Sequence, residues 1–319
     1  MLRIYLSAII MLMVRVCFAE KTKTFYPIVN PALQSFTQMR VDLRRDTVTF
    51  KQEKVIFGLN AKFNDFWTFN ITVDLVGMNR PFLKPAVLTY KKDRWTVDSG
   101  ILFTSEMDLA AGQFWANRFI DRVPADKWLL DPTADLGIRI VYRWNDYLAT
   151  DFSVVSGNGY QHLREKYHPQ PAFRFILSPV SGFKSGSYIS LRKEDITETT
   201  FNCFAHFETK NKWKMTCEYH HKSNYRFQKG QQLNVASLYT TYYINPWLSL
   251  LGRYDTIWSK SDFINNGLSN VEDGKAFIGG IIIRCFPSVR LSVDYWNQYP
   301  KTQHIPKEDK IYFCLEFKY

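Results

Sequence analysis

The chain has 319 residues and a formal charge of +11, and its 46% hydrophobic content includes 18 Tyr, 25 Phe and 9 Trp. Mean hydropathy is nevertheless −0.25, and past the N-terminus no run approaches the ~20 apolar residues of a spanning helix, which excludes transmembrane helices. The positive charge is scattered rather than gathered into Lys/Arg runs, which argues against nucleic acid as a partner and for a basic lumen or rim.

Met1-Leu2-Arg3, the apolar run Ile4 to Val14 and the small residue Ala19 before Glu20 read as a secretory signal peptide over 1–19. Residues 20–33 follow as a periplasmic N-terminal segment, and 34–319 read as one domain with hydrophobic period two. The alternation is faint in Ser35 to Leu43. It is clear where Trp67, Phe69, Ile71, Val73 and Leu75 alternate with Thr68, Asn70, Thr72 and Asp74. Leu136, Ile138, Ile140, Tyr142 and Trp144 likewise oppose Gly137, Arg139 and Arg143. Glu194 to Thr199 is faint again, and Val289 to Asn297 alternates cleanly. In the last nine residues Ile311, Phe313, Leu315, Phe317 and Tyr319 share one face, with Tyr312, Cys314, Glu316 and Lys318 on the other.

Seven short turns rich in Asn, Asp, Gly and Pro punctuate these segments, at 63–66, 90–95, 144–147, 181–186, 210–213, 244–247 and 285–288. Longer polar stretches lie between them, at 77–82, 104–132, 157–170, 223–231, 260–274 and 298–307. Short turns alternating with long loops, and apolar residues alternating with polar ones, describe an all-β, up-and-down antiparallel transmembrane barrel. A sheet in lipid has to close on itself, because every backbone polar group must find a partner within the protein. The turn count gives about sixteen strands, or fourteen if the two faint segments drop out. The short turns are then periplasmic and the long loops extracellular, in the outer membrane of a Gram-negative cell. Lipid and the outer-membrane assembly machinery are the implied partners. The alternating, aromatic-ended last strand, with Phe313, Phe317 and Tyr319, is the candidate assembly signal.

The connection from Thr104 to Pro132 is too long to be a plain link, and loops of this length are usually functional or disordered. Leu109 to Ile120 in it fits a short amphipathic helix, and it carries Glu106, Asp108, Arg118, Asp121, Arg122, Asp126 and Lys127. Two placements are open, inside the lumen or as a cap over the outer rim. Arg139, Arg143, Arg174, Arg253 and Arg290 fall on the faces away from lipid, interleaved with acidic residues. Such charges either cross-link the wall or set ion preference in an aqueous pore.

Enzyme signatures are poor. The six His form no HExxH-type motif, and adjacent His220 and His221 point to opposite strand faces. Cys203, Cys217, Cys285 and Cys314 have no metal spacing and read as small packing residues, with a Cys203–Cys217 disulfide left open. No cofactor and no metal is expected.

WTFNITVDLVG (67–77), GQFWAN (112–117) and DLGIRIVYRWNDYLATDFSVVSGNGY (135–160) carry a likeness over about a third of the chain. Across 57–160 it resembles the phosphate-selective porin family and its uncharacterised relatives. The resemblance implies a sixteen-stranded channel and allows a homotrimer. In general porins of that strand number the third extracellular loop folds inward, which makes the charges of 104–132 the constriction candidates. The family's anion channel rests on clustered basic residues, whereas this loop mixes both signs, so fold transfers better than solute. Two functions follow: a diffusion channel for ions and small polar solutes, or a non-conducting barrel that binds a partner or anchors a complex.

Overall fold

The computed structural model describes residues 27–76, 82–162, 169–210, 212–260, 273–301 and 307–319. The 1–19 signal peptide and residues 20–26 of the N-terminal segment lie outside them. Sixteen strands make up the sheet. The first eight are β1 (Ile28–Asp42), β2 (Thr47–Lys62), β3 (Trp67–Asp74), β4 (Phe82–Lys92), β5 (Trp95–Phe103), β6 (Ala134–Arg143), β7 (Leu148–Val155) and β8 (Gln170–Leu177). The rest are β9 (Phe183–Lys193), β10 (Thr197–Thr209), β11 (Trp213–Ser223), β12 (Gln232–Asn245), β13 (Leu248–Lys260), β14 (Gly274–Phe286), β15 (Val289–Pro300) and β16 (Glu308–Lys318). Each is antiparallel to its sequence neighbours, and β1 pairs with β16 from Gln34↔Lys318 to Asp42↔Lys310, closing the barrel. Closure removes every sheet edge, which is what a strand protein in lipid requires.

All seven short turns join an even strand to the next odd one, so they lie at one end of the barrel with the start of β1 and the end of β16. Three share one device. The side-chain oxygens of Asn64, Asn145 and Asn245 each accept two backbone N–H groups two and three residues on, at 2.8–3.0 Å. These Asx turns reverse the chain without glycine. Aromatic side chains cluster beside them: Trp67 against Tyr90 at 4.8 Å, Trp95 against Tyr142 at 4.4 Å, Trp213 against Tyr242 at 4.6 Å. This is the amphipathic belt expected at a membrane interface.

Two joins at the opposite end, 43–46 and 194–196, are tight turns rather than long loops. Asp46 takes φ 49° in the first, a left-handed conformation that Asp tolerates better than most residues. The strand boundary also moves. β1 begins at Ile28, inside the stretch read as a periplasmic segment, with Ile28 to Leu33 pairing β2 before β16 joins at Leu33. Pro31 is tolerated there because it has a strand neighbour on one side only.

Along β16, Phe313, Leu315 and Phe317 face outward and are about two-fifths exposed, while Tyr312, Cys314 and Glu316 are buried inside the barrel. The interior is not a water-filled tube throughout. Met107, Phe114, Trp115, Phe119, Ile120 and Trp128, all from the segment between β5 and β6, form an apolar core with inward-facing residues of β10 to β16. Among the described residues Cys203, Cys217, Cys285 and Cys314 are free, with Cys203 diagonal to Cys217 in the β10–β11 register.

Candidate functional site

The segment 104–133 enters the barrel. It begins as a helical turn at Ser105–Leu109, continues through a wider turn at Ala110–Trp115, and forms another short helix at Pro124–Lys127. The loop crosses the lumen and touches the wall from β6 and β7 round to β16 and, through Gln38, β1, rather than lying as a cap over the outer rim. Three kinds of contact hold it. Apolar side chains fill the space beneath it: Phe114 stacks on His206 at 4.5 Å and Trp115 meets Tyr239 edge-on at 5.5 Å. Wall side chains donate to loop carbonyls: Gln38 to Phe119 and Ile120 at 2.8 and 2.9 Å, Lys214 to Gln113 at 2.6 Å, and Arg253 to Arg122. Buried charges are paired, with Glu106 on His220 Nδ1 at 2.7 Å and Glu218 on Nε2 at 3.3 Å.

These contacts divide the sequence-derived candidates. Asp108, Arg118, Arg122, Asp126 and Arg290 line an open cavity of about 1200 Å³. The other seven do not line it. Glu106 is buried on His220, and Asp121 and Lys127 pair at 2.6 Å within the loop. Arg139 grips Asp98 at 2.7 Å, and Arg174 grips Asp151 at 2.5 Å. Both pairs are register partners on adjacent strands, so they cross-link the wall. Arg253 is 2% exposed, bound to Asp255 at 2.6 Å and set over Trp115. Arg143 stands exposed at the last residue of β6, on the short-turn rim. Period two told which way these residues point; it did not tell that the loop would cover them.

The cavity runs between the loop and the wall of β1 to β4. Asn158 and Gln161 line it at the long-loop end, Pro287, Ser288 and Lys318 at the short-turn end. At its middle Lys54 (β2), Asp74 (β3) and Lys84 (β4) face Arg118, Arg122 and Asp126 of the loop. Lys84 pairs with Asp74 at 3.2 Å and lies over the Tyr160 ring at 5.4 Å. Asp126 reaches Arg118 at 3.7 Å and Arg122 at 3.9 Å. Lys54 and Lys84 were not singled out from sequence, because bulges in β2 and at Pro85 break the alternation around them.

Two loop carboxyls titrate differently. Burial alone would raise Asp121, but Lys127 and Arg253 outweigh it and hold the group at about 2. Burial, with Glu106 beside it, pushes Asp131 up to about 6 against the opposing pull of Lys222, Gln170 and Tyr188. A carboxyl raised in the seated loop stabilises that seat at acid pH and loses the contribution as pH climbs through about 6. Asp121 works the other way and weakens the seat only as pH falls towards 2. Asn at 131 stands in for the protonated carboxyl at every pH, so the unfolding temperature of the wild type should rise relative to that of Asp131→Asn as pH falls from 7 to 4.5. A difference between the two that does not change with pH would contradict the assignment.

No protein-family model matches the chain, and no curated protein matches its sequence. Solved structures match its fold. The trimer form of in-vitro folded OmpT, an outer membrane protein of Vibrio cholerae, superposes with TM-score 0.65 at 11% identity, over 92% of this chain and 99% of that one. The outer membrane channel DcaP of Acinetobacter baumannii gives TM-score 0.68 at 14% identity, over 94% and 99%. An anion-selective porin from Comamonas acidovorans gives 0.64 at 9%, over 92% and 100%. Identities this low carry the architecture alone: the chain has the sixteen-stranded barrel of outer-membrane porins.

Proposed function

We propose that this chain is a porin-like outer-membrane channel for passive diffusion of ions and small polar solutes. The observation that carries the reading is the cavity of about 1200 Å³, lined by residues from both ends of the barrel and pinched at its middle by charged groups from loop and wall. A passage of that form lets hydrated ions through while its fixed charges bias which sign crosses. A plugged barrel serving only as an anchor has no use for it. Delivery by a cleaved signal peptide over 1–19, recognition of the last strand through Phe313, Phe317 and Tyr319, and a homotrimeric assembly belong to the same reading. The trimer form of OmpT supports the last of these.

The ion preference gives a direct test. Changing Arg118 and Arg122 to Glu turns two cations at the pinch into anions without touching a strand. The reversal potential across a salt gradient should swing towards cation preference, and the swing should fade at high salt as the charges are screened. An unchanged reversal potential would place the conducting path elsewhere.

A further inference from the structure

At mid-height the passage is lined by more basic side chains than carboxylates, with Lys54, Lys84, Arg118 and Arg122 against Asp74 and Asp126. The register of β1 on β2 shifts so that Phe36 faces Lys54 and Thr37 faces Gln52, leaving Glu53 as the extra residue of a bulge. Glu53 is then taken by Arg40 and by Lys51, the latter at 2.9 Å. Lys54 lies close to Lys84 and Arg118, and all three line the cavity. No ion pair between Lys54 and a carboxylate occurs among the described residues. Asp74 serves Lys84, and Asp126 stands beyond hydrogen-bond length from both Arg118 and Arg122. Four basic side chains thus face two carboxylates in a confined space. A second ammonium beside Lys84 is disfavoured where water is scarce, unless an anion sits between the two lysines.

Just below, towards the short-turn end, the wall changes character. Asn60, Asn70 and Thr72 line the cavity without charge. The Asn70 amide donates to Asn60, and the Thr72 hydroxyl donates to Asn70 at 3.3 Å. Amides and hydroxyls in a row keep spare donors and acceptors of the kind that match the hydroxyls of a solute.

We propose that the pinch is a transit site for a small hydroxylated organic anion, its acidic head group held by Lys54, Lys84 and Arg118 and its hydroxyls passing along Asn60, Asn70 and Thr72. The inference rests on the channel reading for its direction of travel, and on the cation cluster alone for binding. A carboxylate or phosphate head group has the right chemistry, because charge-assisted hydrogen bonds from two ammonium groups and a guanidinium satisfy its oxygens. Affinity has to be weak for passage, so that the solute enters and leaves.

Gluconate and glucose, alike in hydroxyls and different in charge, separate the terms. Millimolar gluconate should reduce single-channel KCl current at pH 7, with glucose far weaker. Glucose 6-phosphate should act as gluconate does, which distinguishes a general head-group site from a carboxylate-specific one. In the Lys54→Gln, Lys84→Gln variant the half-blocking gluconate concentration should rise at least tenfold, while KCl current persists. Calorimetric titration of gluconate into the detergent-solubilised barrel reads binding without current. A barrel that conducts KCl yet binds gluconate no better than glucose overturns this site and leaves the channel reading standing. One that binds gluconate through Lys54 and Lys84 but passes no current overturns the channel reading and leaves the site. Block that survives the double substitution unchanged also overturns the site.

Discussion

Deleting Ala110 to Asp126 should raise single-channel conductance several-fold and lower the temperature at which the barrel unfolds. The first effect follows from geometry. This stretch forms the inner boundary of the passage, with Ala111, Gly112, Ala116, Arg118, Arg122 and Asp126 lining it. Without it the current has the space now filled by the loop, and the charges of the pinch are halved. The second effect follows from packing. Phe114, Trp115, Phe119 and Ile120 are at most 2% exposed, and their removal bares Tyr239, Val235 and Ile278 on the wall to water. Each large apolar side chain buried contributes about 1.5–3 kcal/mol, so the loss is a sizeable part of a typical stability. The hydrogen-bonded strands themselves are untouched, and the deletion variant should still migrate as a folded barrel without boiling. Unchanged conductance in a folded deletion variant would mean that the loop does not bound the conducting path.

The other large effect concerns closure. Replacing Phe317 and Tyr319 with Asp should abolish assembly in the outer membrane. Phe317 pairs with Ser35 of β1 on one side and Val289 of β15 on the other, and Tyr319 exchanges backbone hydrogen bonds with Leu33 at 2.8 and 3.0 Å. Both side chains point out of the barrel next to the short-turn end. A charge on that face costs up to about 1 kcal/mol near the interface and more towards the midplane, and the aromatic burial in lipid is lost besides. The penalty falls on the two strands that close the sheet, where failure leaves an open edge in lipid. Phe317→Tyr with Tyr319→Phe keeps both rings and should assemble normally. Normal membrane levels of the Asp pair would contradict the role given to this strand.

Fold was more legible than site, for a physical reason. Strand period and Asn-based turns are local, and the seven short turns lie where Asn64, Asn145, Asn245 and their like put them. The hairpins at 43–46 and 194–196 were missed because each carries a single Asp, Asp46 or Asp195, among other charged residues and without the flanking aromatic side chains that mark a turn such as Tyr90 to Trp95. The site depends on where the loop lies, which no local pattern encodes. Arg174 and Arg253 have the same inward phase as Arg290, yet only Arg290 reaches the cavity, because the loop covers the others. One sign was present in the sequence. Phe277 to Ile283 is apolar on both faces, with Phe277 and Ile281 exposed outward and Ile278 and Ile282 buried inward. A strand with a lipid face and a wet lumen would alternate; one apolar on both faces has something packed inside.

A channel of this kind needs the space between that loop and the wall of β1 to β4 to conduct ions. The most direct measurement is single-channel current of the refolded, full-length protein in a planar lipid bilayer bathed in KCl. Discrete, ohmic insertion steps with a stable open level, smaller than those of the loop-deletion variant, are the expected result. Folded barrels that insert and pass no current would contradict the channel function.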